Sequence, residues 1–340
     1  MPDQRDTLAL VFARDLVRAN GAALFLNAAP LPDGLLRGAA CEQGFRPDFL
    51  ALEAAGYDAA PECETAPESE AAPRREAAGG HDLAALLLGR SRQVNERNLA
   101  RAWNALRPGG TLVVAGDKTA GIAPIRKLAA SRAVLSDSLA KHHATAFWAV
   151  REGDDWPVPD LAREAEGFRL LAGQFSADGP DPASRLLASH LDGRPLGRTA
   201  DLGAGWGYLA AQALRRAKPT SVELFEADHA ALAAARGNVA ADVPLAFHWH
   251  DVAGEPIERR FDTVVMNPPF HAGSGGAGRA AEPRIGQRFI ERASEALLPK
   301  GRLLMVANRN LPYERTLAER FRSWEKLEEA AGFKVLEAVR

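Results

Sequence analysis

Residues 199–207 read Thr-Ala-Asp-Leu-Gly-Ala-Gly-Trp-Gly (TADLGAGWG), followed directly by Tyr-Leu-Ala-Ala-Gln-Ala-Leu-Arg-Arg-Ala at 208–217. A short apolar run that ends in alternating glycines and passes into an alanine- and leucine-rich stretch predicts a strand, a tight turn and a helix. In a doubly wound sheet that turn lies at the carboxyl edge, where ligands bind. An acid, Asp201, stands just before the glycines Gly203, Gly205 and Gly207. A dinucleotide-binding turn offers a helix amino terminus to a pyrophosphate, whereas an acid beside the loop suits a ligand with positive charge.

Outward from this turn, strand and helix alternate. The pattern predicts helices at 182–191, 208–217, 229–238 and 285–298, and strands ending at Asp201 and covering 221–228, 247–251, 262–267 and 301–308. Such alternation with apolar strands predicts an α/β fold with a doubly wound, mostly parallel sheet.

The amino-terminal half repeats part of this pattern. Leu-Arg-Pro-Gly-Gly-Thr-Leu-Val-Val-Ala-Gly-Asp-Lys at 106–118 reads like Leu-Leu-Pro-Lys-Gly-Arg-Leu-Leu-Met-Val-Ala-Asn-Arg at 297–309, and the two halves close on AFWAVR at 146–151 and VLEAVR at 335–340. Internal similarity of this kind predicts two copies of one α/β unit. The first copy has Leu87-Leu88-Gly89 where the second has Asn267-Pro268-Pro269, and it has no counterpart of the glycine loop. It is therefore expected to be degenerate. The run Glu152–Pro159 reads as a linker, giving domains 1–151 and 152–340. The acidic Ala/Pro/Glu segment near 58–80 is expected to be mobile.

Composition bounds the function. In 340 residues with 46% hydrophobic and 25% charged residues, no apolar run is long enough to span a bilayer. The amino terminus carries acids and arginine within its apolar stretch, unlike a secretory signal, so a cytoplasmic location is expected. Only Cys41 and Cys63 are present, which disfavours a disulfide framework or a cysteine zinc site. A net charge of −2 gives no global basic field, so nucleic-acid binding would need local patches.

About twenty residues beyond the loop, Glu226 ends the next strand, where a carboxylate can accept hydrogen bonds from ribose hydroxyls. Asp251 ends the strand after that and is placed to meet an adenine amino group. S-adenosylmethionine, with its ammonium, sulfonium and adenosine, fits the set. The apolar strand at 264–266 then stops at Asn267-Pro268-Pro269-Phe270-His271. Prolines end the ladder and hold their own backbone rigidly. The Asn267 side-chain oxygen and the Pro268 carbonyl can each accept one hydrogen of a planar exocyclic amine, freeing its lone pair, while Phe270 offers a stacking face for a base.

The ordered set DLGAGWG, FEAD, HD and NPPFH resembles class I S-adenosylmethionine-dependent methyltransferases that act on planar nitrogens. GQFSADGPDPASRLLASHL at 173–191, NPPFHAG at 267–273 and VANRNLPYERTL near the carboxyl end are similar to the bacterial ribosomal RNA guanine-N2 methyltransferases, both the C type acting on the small ribosomal particle and its G-type relatives acting on the large one. That resemblance implies tandem Rossmann-like methyltransferase domains of which the second binds cofactor, and a partner in ribosomal RNA or a ribosomal subunit. It implies cofactor contacts from Asp201, Gly203, Ala204, Gly205, Gly207, Glu226, Ala227, Asp251, Val252 and Asn267. Catalysis would fall to Asn267, Pro268 and Phe270, with base or RNA contacts from Pro269, Phe270, His271, Arg284 and Arg288. Adenine N6 and a protein glutamine amide pose the same geometric problem, and a non-catalytic RNA-binding factor with a relic pocket is the reading from another class. The glycine run Ser274–Gly278 departs from the family pattern.

Weaker signals complete the reading. His248 and His250 share one face of a strand, but no third ligand is evident and no metal is expected. Lys118, Arg126, Lys127 and Arg132 give the first half local positive charge. Arg284, Arg288 and Arg292 follow one another at helical spacing and form a candidate RNA contact.

Overall fold

The computed structural model describes residues 3–18, 20–61, 80–269 and 283–340. Cys63, most of the acidic segment at 58–80, Phe270, His271 and the Ser274–Gly278 run lie outside the described residues. Contacts divide the chain into two units, Met1–Ala162 and Arg163–Arg340.

The first unit runs α1 (Gln4–Ala13), β1 (Ala23–Leu26), β2 (Ala40–Glu42), α2 (Arg46–Ala54), β3 (Ala59–Ala60), β4 (His81–Leu87), α3 (Arg92–Ala105), β5 (Leu106–Asp117), α4 (Ile122–Ala130), β6 (Asp137–Lys141) and β7 (Ala144–Val150). Among the described residues its sheet has the order β3-β2-β1-β4-β5-β7-β6. The second unit follows from a hairpin that starts at the boundary residue, β8 (Ala162–Ala165) and β9 (Phe168–Leu171). It continues through α5 (Pro182–Ser189), β10 (Gly197–Leu202), α6 (Tyr208–Arg216), β11 (Pro219–Glu226), α7 (His229–Asn238), β12 (Leu245–Trp249), β13 (Phe261–Met266), α8 (Pro283–Ala296), β14 (Leu297–Asn308), α9 (Glu314–Arg320), β15 (Ser323–Ala330) and β16 (Phe333–Val339). Its sheet order, β12-β11-β10-β13-β14-β16-β15, repeats the first strand for strand. In both sheets the first five strands in that order are parallel and the last two pair antiparallel. The duplication read from the sequence is thus a duplication of topology.

The apolar run before Asn267 follows from its position. Val264 and Met266 pack in one core with Ile290 and Ala293 of α8, while Val265 packs in another with Leu187 and Ala188 of α5. A strand covered by helices on both faces has no solvent side to alternate with.

β10 lies between β11 and β13, so the chain leaves it in one direction and returns to the sheet on the other side. Loops that diverge at such a switch leave a crevice at the carboxyl ends of the strands. TADLGAGWG ends β10 and Asn267-Pro268-Pro269 ends β13, which brings both motifs to that edge.

The contact boundary at Ala162/Arg163 lies beyond the compositional boundary at 151/152. The run between them is tied to the first unit: the Trp156 ring stacks on Trp103 with centroids 4.3 Å apart, Asn104 Nδ2 donates to the Trp156 carbonyl at 2.9 Å, and Arg97 Nη1 donates to the Pro159 carbonyl at 2.9 Å. This anchors the linker-like run to the first unit.

Candidate active site

The glycine loop is shaped by backbone that L-residues rarely adopt: Gly203, Gly205 and Gly207 have φ of +73°, +55° and +90°. Gly207 also permits close packing, because a Cβ there would lie 2.6 Å from Val239 Cγ2 and 3.2 Å from Ala235 Cβ. Among the described residues a Cβ on Gly205 would meet nothing within 4 Å, so this glycine is open on that side. The loop is therefore tight on its helix side and open on its other side.

Gly207 stands at the cap position of α6 without a side chain to cap it. Asp201 performs that task from the strand, accepting Ala210 N at Oδ2 (2.9 Å) while fully buried. Its Oδ1 is buried with no partner among the described residues. Burial pushes this carboxyl up to about 7, and the neighbouring Glu226 charge adds to the rise.

Glu226 ties the crevice together. Its Oε2 accepts Gly205 N at 2.7 Å and its Oε1 accepts Asp228 N at 2.8 Å, linking the glycine loop to the start of α7. Burial and the Asp228 charge push it up to about 7, against those hydrogen bonds. Each carboxylate oxygen keeps a second lone pair for a hydroxyl donor. The next residue, Ala227, receives Trp249 Nε1 at its carbonyl (2.9 Å). Asp251 follows β12 and accepts Ala253 N at Oδ1 (3.0 Å), which shapes a turn; the Val252 side chain belongs to the core around Leu202 and Phe225.

A buried carboxyl, Asp201, and a half-buried one, Glu226, at one crevice, with one oxygen of Asp201 orphaned among the described residues and a glycine opening beside them, fit a ligand carrying positive charge and ribose hydroxyls. A cation would relieve the desolvation and repulsion that raise both groups.

Asn267 is held by residues far away in the chain. Its Nδ2 donates to Asp181 Oδ2 at 3.0 Å and to Ser184 Oγ at 2.9 Å. Both amide hydrogens are thereby used, so its oxygen is the group left to meet a ligand. Pro268 is buried and Pro269 exposed. Asp181 and Ser184 were not singled out from the sequence, although Asp-Pro-Ala-Ser at a helix start is a visible capping signal. Phe175 was also missed as a contact: its carbonyl accepts Trp206 Nε1 at 3.2 Å, tying 173–181 to the glycine loop.

The first unit fills the equivalent places differently. Strand register sets Leu26 and Glu42 against Leu202 and Phe225, so Gln43 occupies the place of Glu226. Gln43 is buried, accepts Phe45 N at Oε1 (2.9 Å) and donates through Nε2 to Ala28 O (2.8 Å). By the same register Leu87 and Leu88 replace Asn267 and Pro268, and both are buried apolar residues. A neutral amide and two leucines carry none of the second unit's chemistry.

Other sequence candidates lie as follows. Arg284 is exposed, whereas Arg288 pairs with Glu291 at 3.0 Å and Arg292 with Glu295 at 2.7 Å, so much of the expected basic stripe on α8 is neutralised. His248 Nε2 lies 2.8 Å from Glu223 Oε2 and its ring stacks on Phe225. His250 Nε2 faces the Pro256 carbonyl at 3.3 Å.

A sheet of this order, with a glycine loop and an acid after its first two strands and Asn-Pro-Pro after its fourth, defines a class I methyltransferase. Residues 166–337 match the family model described as the methyltransferase small domain. The ribosomal RNA small subunit methyltransferase C of Stutzerimonas stutzeri is 32% identical, covering 77% of this chain and 80% of its own length, and that of Erwinia tasmaniensis is 32% identical over 69% of each. The solved T. thermophilus 16S rRNA N2 G1207 methyltransferase, in complex with AdoMet and guanosine, superposes with a TM-score of 0.77 at 30% identity, covering 95% of this chain and 89% of that one. The chain belongs to the ribosomal RNA small subunit methyltransferase C family.

Proposed function

We infer that this enzyme methylates the exocyclic N2 amine of a guanine in ribosomal RNA, with S-adenosylmethionine as methyl donor and the second unit as the catalytic one. The observation that carries the reading is the acceptor-only Asn267, whose two amide hydrogens are spent on Asp181 and Ser184. A group meeting its oxygen must bring an N–H or O–H. S-adenosylmethionine supplies an electrophilic methyl group on a sulfonium. Asp201 and Glu226 would hold its ammonium side and its ribose, Gly203, Ala204, Gly205 and Gly207 would let it approach the backbone, and Ala227, Asp251 and Val252 would border its adenine.

The chain's part in catalysis is to hold the amine. Asn267 Oδ1 and the Pro268 carbonyl accept its hydrogens, so that the nitrogen lone pair is withdrawn from conjugation and left free to attack. Pro269, Phe270, His271, Arg284 and Arg288 are assigned to the base and its flanking RNA, and the protein to the cytoplasm. Guanine is favoured over adenine or a glutamine amide by the match, across nearly the whole chain, to a structure that holds guanosine.

Labelled methyl transfer to ribosomal RNA from cells lacking the protein, followed by nucleoside mass analysis, tests the reading. N2-methylguanosine is expected. Label in N6-methyladenosine, or in protein alone, would overturn it.

The described residues contain no helix long and apolar enough to cross a membrane.

A further inference from the structure

We propose that Asp181 and Ser184 are positioning residues that fix which atom of the Asn267 amide faces the crevice, and so restrict the enzyme to nitrogen nucleophiles that bear hydrogen. The inference rests on the reading of Asn267 as an acceptor and adds what enforces it. An asparagine side chain turns easily about its last torsion, and the prolines after Asn267 hold backbone, not that torsion. The restraint comes from the first turn of α5, 83 and 86 residues earlier in the chain.

Asp181 Oδ2 accepts both Ser184 N, at 3.0 Å, and Asn267 Nδ2, at 3.0 Å. One carboxylate oxygen thus caps α5 and binds the amide. Ser184 Oγ takes the second amide hydrogen at 2.9 Å, and Ser184 is only 7% exposed, so water has little room to replace it. An ionised carboxylate has no hydrogen to give. A flipped amide would set its oxygen against Asp181 Oδ2 and point its N–H groups into the crevice, where they would suit the bare lone pair of a ring nitrogen. The clamp makes that arrangement unfavourable and leaves the one in which an amine's hydrogens are received.

The test exchanges the two chemical groups. In Asn267→Asp the 3.0 Å contact would join two carboxylates, and methyl transfer to ribosomal RNA should slow by about a hundredfold or more. Asp181→Asn alone keeps an acceptor oxygen but adds an N–H that can receive a flipped amide, so it should lower kcat by about three- to tenfold. Combined, the swapped pair restores one donor and one acceptor and should recover at least about tenfold of the rate lost in Asn267→Asp. Ser184→Ala, which leaves the cap on α5 intact, should lower kcat by about three- to tenfold with S-adenosylmethionine affinity unchanged. A helix cap acting only on stability would shift the melting temperature without producing the rescue.

No recovery in the double variant, together with a wild-type rate in Ser184→Ala, would overturn the clamp while leaving Asn267 as the acceptor. A wild-type rate in Asn267→Ala would overturn the acceptor reading itself. If Asn267→Asp does not fold, as judged by loss of a cooperative thermal unfolding transition, Ser184→Ala decides alone.

Discussion

Asp201 sets stability against ligand binding, and the conflict can be measured. The carboxyl is fully buried and pushed from an ordinary value near 3.8 up to about 7. A carboxyl whose folded pKa is raised binds its proton more tightly in the folded chain than in the unfolded one. Stability is therefore unaffected well below pH 3.8, falls as pH rises between the two values, and levels off above about 7. At about 1.4 kcal/mol per pH unit the full loss is at most about 4 kcal/mol. Asp201→Asn removes the ionisation but keeps an oxygen for Ala210 N. Without ligand, this variant should show a flatter stability profile from about pH 5 to 8 and should be the more stable protein at about pH 8, by urea unfolding at each pH. It should also lose a charge-assisted contact of about 1.5–3 kcal/mol with the ammonium, weakening the S-adenosylmethionine Kd by roughly ten- to a hundredfold in calorimetry. Parallel profiles in the two proteins with equal Kd would refute the reasoning and leave Asp201 as a helix cap only.

Three further outcomes follow from the same geometry. S-adenosylmethionine should bind with one site per chain, and Gln43→Ala should leave its Kd unchanged; two sites by calorimetry would contradict the decay of the first copy. Because Asp201 and Glu226 both sit near 7 in the free protein and a bound cation favours their ionised forms, affinity should tighten from about pH 6 to 8 with proton release, seen as a buffer-dependent binding enthalpy. Gly207→Ala meets both a φ of +90° and a 2.6 Å contact with Val239, so it should cost about 1–3 kcal/mol in thermal or chemical unfolding.

What was legible in the sequence is what local pattern encodes. The apolar run at 264–266, the largely apolar stretch Val222-Glu223-Leu224-Phe225, the glycine turn at 203–207 and the prolines at 268–269 each announce a strand or its end through their own chemistry, and the repeat exposes the duplication. What was hidden depends on partners distant in the chain. The use of Asp201 as the cap of α6 replaces a role that Gly207 cannot fill. The hold of Asp181 and Ser184 on Asn267 crosses from α5 to β13. The arginines of α8 read as an open basic stripe by their spacing alone, whereas in the fold glutamates three positions on, Glu291 and Glu295, pair with Arg288 and Arg292. Trp156 lies in a run that composition marks as a linker, and its stack on Trp103 and its hydrogen bonds with Asn104, partners about fifty residues away in the chain, join it to the first unit.

The central claim is that Asn267 receives the hydrogens of a guanine amine. Its most direct test is mass mapping of ribosomal RNA in cells lacking the protein and supplied with either the wild-type enzyme or Asn267→Ala, the variant first shown by calorimetry to bind S-adenosylmethionine normally. Wild type should restore N2-methylguanosine at a defined position. Asn267→Ala should leave that position unmethylated, or methylated at least about a hundredfold more slowly with purified substrate. Restoration by Asn267→Ala at the wild-type rate, or a methyl found on another atom, would contradict the account.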